Sequence, residues 1–281
     1  MAIGAPARAL ENAAHEASPW VKVLARAGFA SRGVLSCTIG VLAVMAALGI
    51  GRGTTTDSKG ALRVIYDQPL GQVLLAIVAI GLFGYSIWLF VQAFLDPEHT
   101  ARKPKRGPFV RIGRFIAGLL HVALGLYSIG LITGIALGCE EDGTKSWTAR
   151  LLGWDTFGVA IVVGFGVFVI GLGVFDVYKA IKNQLDDRLD LRSLSRPARK
   201  AIEAICRFGV AARAVVFGIA GSFLILAALR TNPNDAKGLG ETLAHIGRAS
   251  YGLTLLLLVA LGFVAYGVFQ LVEARYRRIR V

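Results

Sequence analysis

Apolar residues in this chain come in long blocks rather than at regular intervals. Phe115 to Leu137, Phe157 to Phe175 and Tyr251 to Val272 contain no Asp, Glu, Lys or Arg, and Val73 to Val91 is a fourth such block. Each approaches the roughly 20 residues that a helix needs to cross about 30 Å of hydrocarbon. Val34 to Ile50 and Ala214 to Leu229 reach that length only if the preceding turns, with Arg32 and Arg213, are included. The pattern predicts an all-α, polytopic membrane protein with six transmembrane helices, at about 29–50, 70–94, 113–137, 157–178, 208–229 and 251–272.

The two shorter blocks open on near copies, RAGFASRGV at 26–34 and RFGVAARAV at 207–215. The same offset of 181 carries Arg26, Gly28, Arg32 and Gly40 onto Arg207, Gly209, Arg213 and Gly221, and Gly71, Gly81, Tyr85 and Gln92 onto Gly252, Gly262, Tyr266 and Glu273. A gapless offset of this length marks a duplication. The middle pair of helices fits more loosely, with an offset of 88 taking Arg26 to Arg114 and Gly33 to His121, and one of 87 taking Gly71 to Gly158. A unit of helix, outer loop and helix is therefore predicted three times, over 20–98, 109–184 and 201–278, within a single six-helix membrane domain spanning 1–281. Two spans per unit make all three tandem units parallel, which permits a pseudo-threefold arrangement about the membrane normal instead of an inverted repeat.

Small residues recur three or four apart on the first helix of each unit: Gly33, Cys37 and Gly40, then Gly125 and Ser128, then Ala214, Gly218 and Gly221. Such a stripe lets a neighbouring backbone approach closely where lipid supplies no hydrophobic drive. Gly164, Gly166, Gly171 and Gly173 in the fourth span read the same way. Each outer loop is also predicted to hold a short helix, with Leu62, Ile65 and Tyr66 on one face of the first, and Leu239, Leu243 and Ile246 on one face of the third. Trp147, Trp154 and Tyr251 suit the interfacial depth that these segments would occupy.

Composition agrees with the blocks: 55% of residues are hydrophobic and 34 are glycine. The net charge of +13 is distributed by side, because 23 of the 31 basic residues fall on the loops and termini of one face. Basic residues are retained on the cytoplasmic side, so both termini are expected there, in the bacterial cytoplasmic (inner) membrane. That bias accounts for the charge without a nucleic-acid partner. The segment RKPKRGP at 102–108 is a topogenic loop that would also suit anionic lipid headgroups. The lipid bilayer is the one partner the sequence requires, and it leaves room for an unidentified protein partner. Cys37, Cys139 and Cys206 have neither the spacing nor the sidedness of a disulfide or metal site. The first span has an internal counterpart at Ala214, so it reads as structural and retained, not as a cleaved signal.

The combination of RAGFASRGV, DSKGALRVIYDQPLG and GLFGYSIWLFVQAF, with a weaker second copy and a clearer third, resembles a bacterial integral-membrane family known as a domain of unknown function, built from triplicated two-helix units. The resemblance covers about Trp20 to Arg278 and implies six helices. It implies no catalytic or binding residues.

Polar chemistry inside the spans is sparse. Arg32 and Arg213 lie one to two turns inside their helices, a depth from which arginine side chains are expected to snorkel to the interface. The alternative is that they turn inward with His121 as a ring that contacts anions or lipid headgroups, with Gln92, Asp176 and Glu273 as polar partners at the same cytoplasmic level. In that arrangement Arg213 would pair with Glu273, and Gln92 would hold Arg32. His121 on its own reads as an interhelical hydrogen-bonding group. Four histidines distributed over both sides supply no axial pair for haem, so no cofactor and no metal are expected. No nucleophile with a base and no paired intramembrane carboxylates appear, so no catalytic residues are assigned. The cluster Glu140, Glu141 and Asp142 reads as a solvated acidic loop. The expectation is a non-enzymatic structural or accessory membrane component; the alternative is a transporter or channel for a small anionic solute along the repeat axis.

Overall fold

The computed structural model describes residues 4–51, 53–94, 107–135, 143–181 and 195–277. The basic segment 102–106, the acidic residues 140–142, Cys139 and His99 lie outside them. Among the described residues the chain is all helical: α1 (Gly4–Leu48), α2 (Ser58–Tyr66), α3 (Gly71–Phe94), α4 (Pro108–Thr133), α5 (Gly143–Leu152), α6 (Asp155–Ile181), α7 (Arg196–Leu229), α8 (Leu239–Gly247) and α9 (Gly252–Tyr276). A 3₁₀ turn at Pro233–Asp235 precedes α8. Six of these helices, α1, α3, α4, α6, α7 and α9, are long and apolar enough to cross a membrane. The helices α2, α5 and α8 are the short segments between the two spans of each unit, and they define one capped end of the bundle.

Two helices start well before the predicted positions 29 and 208, because a hydropathy block marks only the apolar part of a helix. The polar turns that precede it keep the same backbone hydrogen bonding in water. Pro108 and Pro197 sit in the first turns of α4 and α7, where the missing N–H costs nothing. Helix α4 ends earlier than predicted, since Gly134 adopts the left-handed conformation at φ 71° and stops it after Thr133. Arg111 of α4 donates from Nε to the Ala93 carbonyl at 2.6 Å and from Nη2 to that of Phe94 at 2.5 Å, so it caps the end of α3.

The same joint recurs in all three units. A Cβ on Gly71, Gly158 or Gly252 would collide with a carbonyl near the end of the short helix before it: that of Tyr66, Leu151 or Gly247. Glycine at the head of each second span therefore lets that span abut the loop helix end to side.

Packing follows a ring in chain order. α1 packs on α3, α3 on α4, α6 on α7, α7 on α9, and α9 returns to α1. Each junction between units sets the small stripe of a first helix against the second helix of the preceding unit. A Cβ on Gly40 would lie 2.6 Å from the Val264 nitrogen, one on Gly221 would lie 2.7 Å from the Gly166 oxygen, and one on Gly118 would lie 2.6 Å from the Phe90 ring. Backbones are thus nearly in contact at two junctions, while phenylalanine rings seat on glycines at the third. Gly166 and Gly173 line such a junction; Gly164, Gly171 and Gly218 instead face open space.

One side of the ring is different. Helices α4 and α6, the two spans of the middle unit, do not share a junction comparable to α1 with α3 or α7 with α9. They touch where the Phe168 ring lies 3.1 Å from the place of a Cβ on Gly113. Helix α5 follows α6 to the periphery, where Leu152 packs with Val162 and Ala228. Helices α2 and α8 turn inward instead: Leu62 and Leu243 are both fully buried, in one core with Leu35, Leu82, Val216 and Phe263. Trp147, Trp154 and Tyr251 remain exposed, as an interfacial belt requires.

Candidate functional site

Below that apolar core, each of the six long helices contributes one polar side chain to a layer: Arg32 from α1, Tyr85 from α3, His121 from α4, Asp176 from α6, Arg213 from α7 and Tyr266 from α9. Counting back from the capped end at about 1.5 Å per residue, Arg32 and Arg213 lie about 24 Å deep and the two tyrosines about 21 Å. Against about 30 Å of hydrocarbon, the layer belongs to the half of the membrane farther from the cap.

The contacts follow the order of the helices round the ring, each arginine donating to both of its neighbours. Asp176 Oδ2 accepts from Arg213 Nη1 at 2.8 Å. The same Nη1 donates to the Tyr266 hydroxyl at 2.9 Å, and that hydroxyl also accepts from Arg32 Nη2 at 3.3 Å. Arg32 Nη1 in turn donates to the Tyr85 hydroxyl. The Tyr85 ring meets the His121 ring edge-on, with centroids 4.8 Å apart. The sequence of contacts thus begins on α6 and ends on α4, the two helices between which the ring is open.

The expectation that Arg32 and Arg213 snorkel outward is corrected by this geometry. Both turn inward and converge on one oxygen. The reason is partner supply: α1 and α7 each lie between two tyrosine- or carboxylate-bearing helices, and inward bonds replace hydration that the hydrocarbon cannot offer. The guanidinium carbons also lie over rings, Arg32 at 4.4 Å from the Tyr85 centroid and Arg213 at 4.3 Å from that of Phe217.

The expected polar pairs are also redistributed. The carboxylate on Arg213 is Asp176 and not Glu273. Glu273 is buried and accepts from Arg277 one turn further along α9, whose guanidinium carbon lies 4.8 Å over the Phe29 ring. Arg32 is held by the two tyrosines; Gln92 is buried elsewhere on α3. Gln270, which the sequence did not single out, fastens α9 to α1 by donating to Ser36 Oγ at 3.0 Å and to the Arg32 carbonyl at 3.4 Å. His121 Nδ1 bonds the Ala117 carbonyl at 2.6 Å, and because a carbonyl only accepts, the proton resides on Nδ1. Nε2 is then the ring nitrogen left to accept.

The tyrosines were legible only as repeat markers. What signals them is the coincidence of an offset of 181 with a polar-tipped ring deep in the second spans of the first and third units. Their approach to the arginine-bearing helices depends on Gly28 and Gly209, since a Cβ on either would collide with Tyr85 or Tyr266. Among the described residues no group of three or more His, Cys, Asp or Glu side chains is placed to hold a metal.

Comparison with known proteins agrees with the internal symmetry. The family model Domain of Unknown Function (DUF1206) matches twice, over residues 27–96 and 208–277. The two matches are offset by the same 181 positions that relate the arginines and the tyrosines, and they leave the divergent middle unit unmatched. An uncharacterized protein of Bacillus subtilis (strain 168), YxxB, is 29% identical over 272 residues, which cover 97% of each chain. No solved structure matches the chain. The DUF1206 domain is thus found twice, in the first and third units and at the offset of the chain's own duplication, consistent with a membrane family built from a repeated unit.

Proposed function

We propose that the protein is a non-enzymatic structural or accessory component of the bacterial cytoplasmic membrane, with both termini in the cytoplasm, and that it does not conduct solutes along its axis. The observation that carries this reading is the apolar filling between the polar layer and the capped end. Leu35 and Ile39 of α1, Val78 and Leu82 of α3, Val216 of α7 and Phe263 of α9 are buried together there, with Leu62 and Leu243 closing the end. Buried apolar side chains offer an ion no ligands over that distance, and a desolvated ion is costly. A transporter would need a second arrangement in which this plug opens.

Purified protein in liposomes, with chloride or phosphate gradients imposed, is the test. Flux no greater than that of protein-free liposomes is expected. Anion flux that depends on Arg213, lost in Arg213→Ala at equal reconstitution, overturns the reading in favour of transport. Protein partners of the accessory role would show as species that co-purify in stoichiometric amount from gently solubilised membranes.

A further inference from the structure

The layer contains one cation, Arg32, that no carboxylate among the described residues contacts directly, although the charge of Glu273 acts on it from further away. Arg213 has Asp176 and Arg277 has Glu273, whereas both bonds of Arg32 go to neutral tyrosine hydroxyls. Among the described residues no carboxylate lies within ion-pair distance of Arg32. A guanidinium held inside a helix bundle, about 24 Å from the capped end, is stable when an anion completes it. Arg32 is largely enclosed, but Arg213 and Asp176 beside it keep side-chain exposures of 21% and 25%. Something outside the protein can therefore reach the layer.

The open side of the ring gives the direction of approach. It lies between α4 and α6, with His121 on one flank and Asp176 on the other. Gly164 and Gly171 of α6 have no neighbouring atoms within 4 Å of a Cβ position, so space remains along that helix. The outward faces of both helices are apolar and exposed, with Leu119, Leu126, Phe165 and Val167 among them, as surfaces against hydrocarbon are. A molecule arriving there arrives from the bilayer.

We propose that the polar layer binds a singly charged phosphate group, specifically the phosphodiester of an anionic phospholipid whose chains lie along the opening between α4 and α6. Arg32 carries the charge recognition, with guanidinium N–H groups beyond the two that the tyrosines engage. One negative charge matches the one guanidinium of the layer whose direct partners are both neutral. The Asp176–Arg213 pair borders the site and disfavours a doubly charged anion by its carboxylate. This site goes beyond the accessory role proposed above and does not depend on it, because a binding site for one headgroup neither requires nor forbids flux.

Native mass spectrometry of the detergent-solubilised protein, titrated with phosphatidylglycerol, phosphatidylcholine or inorganic phosphate, tests the proposal. Wild type is expected to retain one phosphatidylglycerol in preference to phosphatidylcholine, and Arg32→Gln to lose that preference by roughly tenfold or more while Arg32→Lys keeps part of it. Arg207→Gln, a surface charge change outside the layer, is the control and should bind as wild type does. Equal binding by Arg32→Gln and wild type overturns the proposal, as does a preference lost equally in Arg207→Gln. Inorganic phosphate that competes as tightly as the lipid rejects the lipid as the source of the phosphate. Should Arg32→Gln fail to fold, Gly171→Trp, which fills the opening without touching the arginine, must lower lipid retention; unchanged retention sinks the assigned route. The flux measurement is separate, so failure of one reading does not imply failure of the other.

Discussion

Arg32 and Arg213, 181 positions apart, donate to the same oxygen, the hydroxyl of Tyr266, at 3.3 and 2.9 Å. Equivalent residues of the first and third units thereby meet at a residue of α9, which packs against both of their helices. The middle unit holds His121 and Asp176 at the same level, and there the chain of bonds stops.

Removing the shared acceptor should weaken the bundle. Tyr266→Phe keeps the ring and deletes one hydroxyl that serves two guanidinium donors, so a loss of roughly 1–3 kcal/mol is expected. Thermal denaturation in detergent should show a lower midpoint than wild type. Tyr251→Phe, on a ring 81% exposed, should show none. Equal midpoints for the two variants would mean that the shared bond contributes nothing.

Asp176→Asn leaves Arg213 without its carboxylate. Because both side chains retain about a quarter of their exposure, solvent recovers part of the lost interaction, and about 1–3 kcal/mol is expected instead of the full cost of an isolated buried charge. The double variant Asp176→Asn with Arg213→Gln should be more stable than Asp176→Asn alone. If the two effects simply add, the pair is not coupled.

The glycines divide into two classes with opposite outcomes. Gly158→Ala places a Cβ on the Leu151 carbonyl and should cost roughly 1–3 kcal/mol through displacement of α5 from α6. Gly164→Ala and Gly171→Ala meet no atom within 4 Å and should be neutral, or stabilise by up to about 1 kcal/mol through helix propensity. The same melting assay ranks them, and a destabilising Gly171→Ala would contradict the open side of the ring.

Topology is testable with single cysteines introduced into a background in which Cys37, Cys139 and Cys206 are replaced. Ser250 and Ser195 are both exposed, at opposite ends of the bundle. In intact cells an impermeant maleimide should label Ser250→Cys and spare Ser195→Cys. The reverse pattern would invert the orientation proposed from the basic residues.

Much of the fold was legible before any coordinates. The six spans follow from apolar blocks, since a backbone in hydrocarbon must satisfy its own hydrogen bonds and a helix does so locally. The triplicate unit follows from offsets, and the joint at Gly71, Gly158 and Gly252 recurs in all three copies. Where the helices stop being apolar, the sequence lost them: α1 and α7 continue through polar turns that hydropathy does not register.

The candidate site was legible in its members and not in its connections. Arg32, Arg213, His121 and Asp176 were identifiable as polar residues at one level, but the pairing of Arg213 with Glu273 was misjudged. Level along a helix is set by sequence; azimuth relative to a neighbour is set by packing. The tyrosines show the same division, because a Tyr in an apolar span satisfies the pattern whether its hydroxyl faces lipid or an arginine.

By itself, then, the sequence determined the helices, their parallel repeat and which residues share a depth, because each of these depends on local composition and on spacing along one chain. Only the tertiary structure decided that the arginines face inward, that Asp176 and the tyrosines receive them, and that the ring is open between α4 and α6. Those outcomes depend on how closely the helices approach across the glycine junctions, and on a middle unit whose two spans pack on neighbouring units far more than on each other. That closeness of approach is a property of pairs of helices, and no single helix encodes it.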